Sequence, residues 1–209
     1  METTKLFIIT YFAAFAGVIP PGLINMSVAK TCLQHGKNNG VLVALGASVI
    51  VIFQALVAIL LAKYIFGNPF VRIVLLRTGL VIFFIMAIFF FVKAKKSTVQ
   101  KVKVSKHRGR KSFGKGLMLG VLNVLPIPYF CALGTGLNIT GKVEYDVMAI
   151  TIFVIAAALG TFTVLYGYVL GFERIERKSA TFAKYSNYFM GVLMLILVII
   201  TLIRIIYFE

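Results

Sequence analysis

The residues that could do chemistry in this chain are few, and they are not the usual catalytic ones. The six acids are Glu2, Glu144, Asp146, Glu173, Glu176 and Glu209, and none stands inside a long apolar run. Paired-carboxylate catalysis and an intramembrane acid relay therefore have no candidates. His35 and His107 have no second ligand at metal-binding spacing, so no metal or cofactor is expected. Cys32 and Cys131 form neither a CxxC pair nor a disulfide framework.

What remains is backbone chemistry. Pro20, Pro21 and Gly22 lie inside a run without charge, with Asn25 close behind. Pro126 and Pro128 lie inside another, with Asn123 just before them. Each proline removes a donor and frees the carbonyl four residues back, here those of Ala16, Gly17, Leu122 and Val124. Carbonyls freed inside a bilayer are tolerated only where protein buries them or a cavity reaches them. Paired breaks offer amide ends to an anion and carbonyl ends to a cation, which is what a zwitterion such as an amino acid requires. Gln54 and Thr161 are further polar side chains within apolar runs that could line such a path. Thr163 and Tyr166 are lesser candidates beside Thr161.

The elements that must hold these residues are membrane helices. Of 209 residues, 60% are hydrophobic and 13% charged, and the mean hydropathy is +0.98. This is too apolar for a soluble domain. Six runs are long enough to span a bilayer: Leu6–Ala29, Val41–Ala62, Phe70–Val92, Gly116–Gly141, Val147–Phe172 and Tyr185–Ile203. Arg72 and Arg77 of the third can snorkel to one interface. The first run continues well past the "AFA" at Ala14–Ala16, so it reads as a span rather than a cleaved signal. The whole chain, 1–209, reads as one transmembrane domain with no soluble one.

The formal net charge of +16 is a topology signal. Sixteen of the 22 Lys and Arg fall in the connections after spans 1, 3 and 5, ten of them from Lys93 to Lys115. The positive-inside rule makes the 93–115 loop cytoplasmic and puts both termini outside, as expected for a multi-pass protein of the plasma membrane. That loop lacks aromatic residues until Phe113, which removes the stacking half of a nucleic-acid signature. The partners expected are the lipid bilayer and a small molecule, not nucleic acid.

Three matches in order suggest an internal repeat. "GVIPPGL" pairs with "GVLNVLPIPYF", "VALGAS" with "AALGTF", and "RTGLVIFFIM" with "FMGVLMLILV". The offsets are 105 (Pro21 to Pro126), 114 (Gly46 to Gly160) and 112 (Gly79 to Gly191). Three spans per half turn the second half upside down, and the two broken spans, 1 and 4, then converge near the midplane. The fold class expected is all-α: six transmembrane helices in two inverted repeats, about 1–93 and 116–209. The four paired glycines read as close-packing contacts, compatible with a homodimer.

"PPGLINMSVAKTCLQHGKNNGVLVALGAS", Pro20 to Ser48, resembles the first-repeat signature of the LysE/RhtB amino-acid exporters. Pro21, Gly22, Asn25, Gly36, Gly40 and Gly46 carry it, with Leu23 where the family's second proline stands. "NVLPIPYF", Asn123 to Phe130, resembles the second motif. The resemblance implies six helices in inverted repeats and export of amino acids from the cytoplasm, generally driven by the proton motive force. It implies no enzymatic role. The rival from another class is a membrane thiol–disulfide electron conduit using Cys32 and Cys131. Cys131 lies five residues after Pro126, but Cys32 lies eleven after Pro21, displaced by roughly 9 Å along a helix.

Overall fold

A computed structural model describes residues 3–20, 22–66, 69–95, 110–138, 146–171 and 179–208. Among them every regular element is helical: α1 (Thr3–Val18), α2 (Leu23–His35), α3 (Lys37–Phe66), α4 (Pro69–Lys95), α5 (Arg110–Leu122), α6 (Pro126–Asn138), α7 (Val147–Leu170) and α8 (Ser179–Phe208). Stretches rich in Leu, Ile, Val and Ala form helices because a chain in hydrocarbon must satisfy its amides within the segment. Two helices, Lys37–Tyr64 and Val147–Leu170, are long and apolar enough to cross a membrane unbroken. Two pairs reach that length only together: α1 with α2, bent by 72°, and α5 with α6, bent by 62°.

Both bends fall where the prolines predict them, and the second shows how the prolines are used. Pro126 and Pro128 occupy the first turn of α6, where a missing N–H costs nothing. The Val124 carbonyl is not freed as expected, because it accepts from Ile127 N at 3.2 Å. Pro21 lies outside the described residues. A second boundary differs from expectation: residues 110–115, read as the end of the basic loop, already form the start of α5.

The chain divides into two compact units, Met1–Phe66 with Val102–Arg177, and Gly67–Lys101 with Lys178–Glu209. In the second unit α4 and α8 pack along each other, with Gly191 against the Phe91 ring and that ring tilted on Tyr188. The first unit holds both bent pairs and both long helices.

Within the first unit, α3 runs alongside α5. Asn39 meets Ser112, Gly116 meets Val43, Gly120 meets Ile50, and Gln54 meets Asn123. The numbers rise together, so these helices are parallel. α1 and α7 are parallel too, with Gly160 against Ala14 and Tyr168 bonded to Ile19. α3 and α7 run oppositely and share two apolar clusters. The first cluster takes Val28 and Cys32 of α2, Val43 and Ala47 of α3, Leu119 of α5 and Leu165 of α7. The second takes Leu6 and Ala14 of α1, Val51 and Ala55 of α3, Phe130 of α6 and Phe153 of α7. Outside them, exposed Phe12, Phe53, Leu60 and Leu159 present an apolar surface suited to lipid tails.

Two glycines make the parallel packing possible. A Cβ on Gly160 would stand 2.5 Å from Tyr11 O, 3.0 Å from Ala14 Cβ and 3.2 Å from Phe15 N. A Cβ on Gly46 would collide with Phe113 O and stand 3.1 Å from Gly116 Cα and 2.9 Å from Leu117 N. The two sets correspond residue for residue: a carbonyl, the residue three on, and the amide four on. At the cluster's edge the chain reverses sharply between α2 and α3. Gly36 makes that turn at φ 85°, and Gly40 leaves room for the Cys32 sulfur.

Candidate functional site

The two breaks lie between the two apolar clusters. On the α1–α2 path, Ala14 belongs to the second cluster and Ile24 to the first; on the α5–α6 path, Leu119 belongs to the first and Phe130 to the second. Thr161 occupies the same interval on α7, between Ala157 and Val164. Gln54 stands one turn past this level on α3 and reaches back into it.

At the first break, Asn25 is buried and its Nδ2 donates to Val18 O at 2.6 Å and to Pro20 O at 3.1 Å. Tyr168 of α7 donates its hydroxyl to Ile19 O at 2.7 Å and lies against the Asn25 side chain. Three successive carbonyls are thus satisfied by side chains. Gly22 caps α2 in an extended conformation and is exposed, with no described atom within 4 Å of where a Cβ would stand.

At the second break, Gln54 is buried and its Nε2 donates to Gly120 O at 3.1 Å and to Asn123 O at 2.8 Å. Tyr129, just past this break, bridges to the other: its hydroxyl donates to Ala13 O at 2.7 Å, and its ring faces Gly17. Pro128 is exposed on α6.

Several polar groups here are unspent. Gln54 Oε1 and Thr161 Oγ1 are buried with no partner among the described residues, as is Thr10 Oγ1 deeper in the second cluster. Thr161 differs in this from Thr163, which returns its hydroxyl to Leu159 O at 2.8 Å and accepts from Tyr11. The described residues give the Asn123 side chain no hydrogen bond; only its backbone is engaged. Buried polar atoms left this way are costly unless something else meets them.

The structure therefore brings Asn25 to Pro20, and Gln54 to Asn123, and sets Thr161 at the same level. Sequence reasoning did not single out Tyr168 or Tyr129. A signal for Tyr168 did exist: the 114-residue offset that pairs Gly46 with Gly160 also pairs Gln54 with Tyr168. Each is the donor to the break beside its own helix.

Cys32 and Cys131 are both free thiols. Cys32 is in the first cluster and Cys131 packs against the second. Among the described residues no group of His, Cys, Asp and Glu could hold a metal ion.

Apolar helices of membrane length, two of them broken at a shared polar layer, define an all-helical multi-pass membrane protein of the broken-helix kind. The family model of the LysE type translocator matches residues 15–204. The chain belongs to that family, and it is a transporter. No curated protein and no solved structure matches it.

Proposed function

We propose that this chain exports amino acids or close derivatives from the cytoplasm, through six spans arranged as two inverted three-helix repeats. The observation that carries the reading is the layer between the clusters, which holds both breaks, the unspent acceptors of Gln54 and Thr161 and the amide of Asn123. Asp146 is the sole carboxylate among the described residues, and it caps α7 by accepting from Ala149 N at 2.7 Å. A layer with carbonyls, amides and hydroxyls but no carboxylate can meet one ammonium and one carboxylate. It leaves a second positive charge on the substrate unpaired, at high cost. Small neutral amino acids are therefore favoured over lysine or arginine. Coupling to the proton motive force, which the resemblance implies, would run through the substrate itself or an acid at a span end such as Asp146.

Topology supports the six-span count. α3 ends on the side of the second cluster, whereas α5, parallel to it, begins on the side of the first. α4, with 27 residues, is about 40 Å long at about 1.5 Å per residue, enough to span a bilayer. The first-cluster end also carries Lys30, Lys37, Lys111 and Lys115, which fits a cytoplasmic face and termini outside. The repeat is supported by the matched surroundings of Gly46 and Gly160 and by the matched roles of Gln54 and Tyr168. Residues proposed to meet substrate are Gly22, Asn25, Gln54, Asn123 and Thr161, with Pro20, Pro21 and Pro126 shaping the breaks.

Cells loaded with dipeptides and expressing this chain should release neutral amino acids faster than empty-vector cells. Strong lysine release without neutral release would refute the charge argument. The Cys32→Ser/Cys131→Ser variant should transport as the parent does; a thiol-reducing activity lost in that variant, with no efflux in either, would favour the electron conduit instead. A sharper arm uses Thr161→Val. It removes a buried hydroxyl that has no partner among the described residues and nearly conserves volume, so stability should hold or rise by about 1 kcal/mol. Efflux per molecule should nonetheless fall several-fold, which a purely structural hydroxyl would not cause.

A further inference from the structure

The two broken spans pack alike in their first halves and differently in their second. α1 lies along α7, α5 lies along α3, and α3 and α7 pack on each other, so each of these pairs has its counterpart under the proposed repeat. The second halves, α2 and α6, have 13 residues each. α2 packs on α3, α7 and α5 and buries seven residues between Ile24 and Cys32. Lys115 of α5 also holds it, donating to Thr31 Oγ1 at 3.0 Å. α6 packs along α3 but, among the described residues, not along α7 or α1, and it buries only Phe130 and Gly134. An element with few buried contacts is drawn from the low-stability end of a structure and moves first.

Side chains reach across from α6. Phe130 sets its ring edge-on to Phe153 of α7 at 6.0 Å. Tyr129 lays its ring against Gly17 of α1 and donates its hydroxyl to Ala13 O at 2.7 Å. Ala13 stands inside α1, where a carbonyl also accepts from the amide four residues on. When Tyr129 leaves, that carbonyl keeps its helical donor. Tyr168 is the opposite case. Ile19 O lies past the end of α1, and no backbone amide among the described residues donates to it, so losing Tyr168 would orphan it. One tyrosine builds a break, and the other makes a contact that can open and close. Gln54 holds Gly120 O and Asn123 O, which belong to the α5 side of the second break. Bending is thus left to residues 124–126.

We infer that α6 is the outer gate of the path and Tyr129 its latch on α1. The helix swings at residues 124–126, the bond to Ala13 breaks, and substrate leaves between α6 and the α1–α7 pair. The gate rests on the export reading, with the first-cluster end cytoplasmic, and deepens it by naming the part that opens.

Cys131, two residues past the latch and packed against the second cluster, is a ready reporter. In a Cys32→Ser chain it is the one remaining thiol, and a membrane-impermeant maleimide applied to intact cells reads how often α6 swings outward. Tyr129→Phe keeps the ring, loses the bond, and should raise the labelling rate about two- to tenfold. Gly17→Ala should act the same way. Its methyl would stand 3.1 Å from the ring and crowd it off, while alanine favours the helix, so unfolding would not explain the rise. The converse arm places Gly17→Cys and Tyr129→Cys in a Cys32→Ser/Cys131→Ser chain. A short bifunctional thiosulfonate should stop neutral amino-acid efflux from dipeptide-loaded cells, and a reductant should restore it. The labelling arm decides by itself if this pair transports poorly. Unchanged labelling in both Tyr129→Phe and Gly17→Ala, or labelling only from the cytoplasmic face in inverted vesicles, would overturn the gate. Undiminished efflux through the cross-linked chain would sink the gate and spare the export reading. Faster labelling of Tyr129→Phe without any efflux in the parent would do the reverse.

Discussion

Gln54→Leu should lower efflux per molecule by at least about tenfold, and lower the thermal midpoint by about 5 °C. The leucine keeps the apolar volume but removes both donations from Nε2. Gly120 O retains the Asn123 amide as a donor at 3.1 Å. Asn123 O loses the one side chain that met it. An orphaned buried carbonyl costs about 1–3 kcal/mol, and each 1 kcal/mol moves the midpoint of a chain this size by about 2–4 °C. The larger effect falls on transport, because the second break loses the contact that holds its backbone and the layer loses Gln54 Oε1 at once. Tyr168→Phe should show a milder form at the first break, since Asn25 still holds Val18 and Pro20. Effects on stability should add in the double variant, because the two donors share no acceptor. Normal transport by Gln54→Leu at normal abundance would remove Gln54 from the site.

Gly46→Val and Gly160→Val should reduce folded protein most severely. Each added side chain would enter the backbone of the helix alongside, not a flexible side chain that could swing away. The helices must then separate along their length, and overpacking of even small groups costs about 1–3 kcal/mol, more when backbone has to move. A midpoint fall of about 5–10 °C or failure to accumulate is expected in detergent-solubilised protein. Gly136→Ala is the contrast. No described atom lies within 4 Å of its Cβ position, and alanine favours helix over glycine by about 1 kcal/mol, so it should be neutral or stabilising. Equal behaviour of Gly136→Ala and Gly46→Val would show that the parallel contacts do not limit assembly.

The breaks were legible because proline has one physical consequence in an apolar run, and two pairs of them marked both bends. The packing role of Gly46, Gly160 and Gly191 was legible from their repeat spacing. Tyr168 was hidden because a tyrosine near the end of an apolar run resembles an interfacial residue, and nothing local says that its hydroxyl turns inward to Ile19. Lys115 was hidden in a different way. Ten basic residues in one stretch read as a charge signal, and the helix that starts at Arg110 and carries this one against α2 depends on packing with α3, not on local sequence. The split that places α4 and α8 in a unit of their own has no mark in the sequence, because their composition matches that of the other spans.

The sequence separation of the bonds at the two breaks also sets an order of assembly during synthesis. Asn25 meets Val18 and Pro20, seven and five residues away, so the first break carries its own cap as soon as it leaves the ribosome. Gln54 must wait for Gly120 and Asn123, 66 and 69 residues later. At about 5–20 residues per second that wait is about 3–14 s, during which α3 sits in or beside the insertion machinery with a polar amide still unmatched. Ile19 waits longer still for Tyr168, 149 residues on. The newborn protein therefore holds an unfinished seam between its halves until α7 arrives, and that interval is when quality-control proteases have the most to recognise.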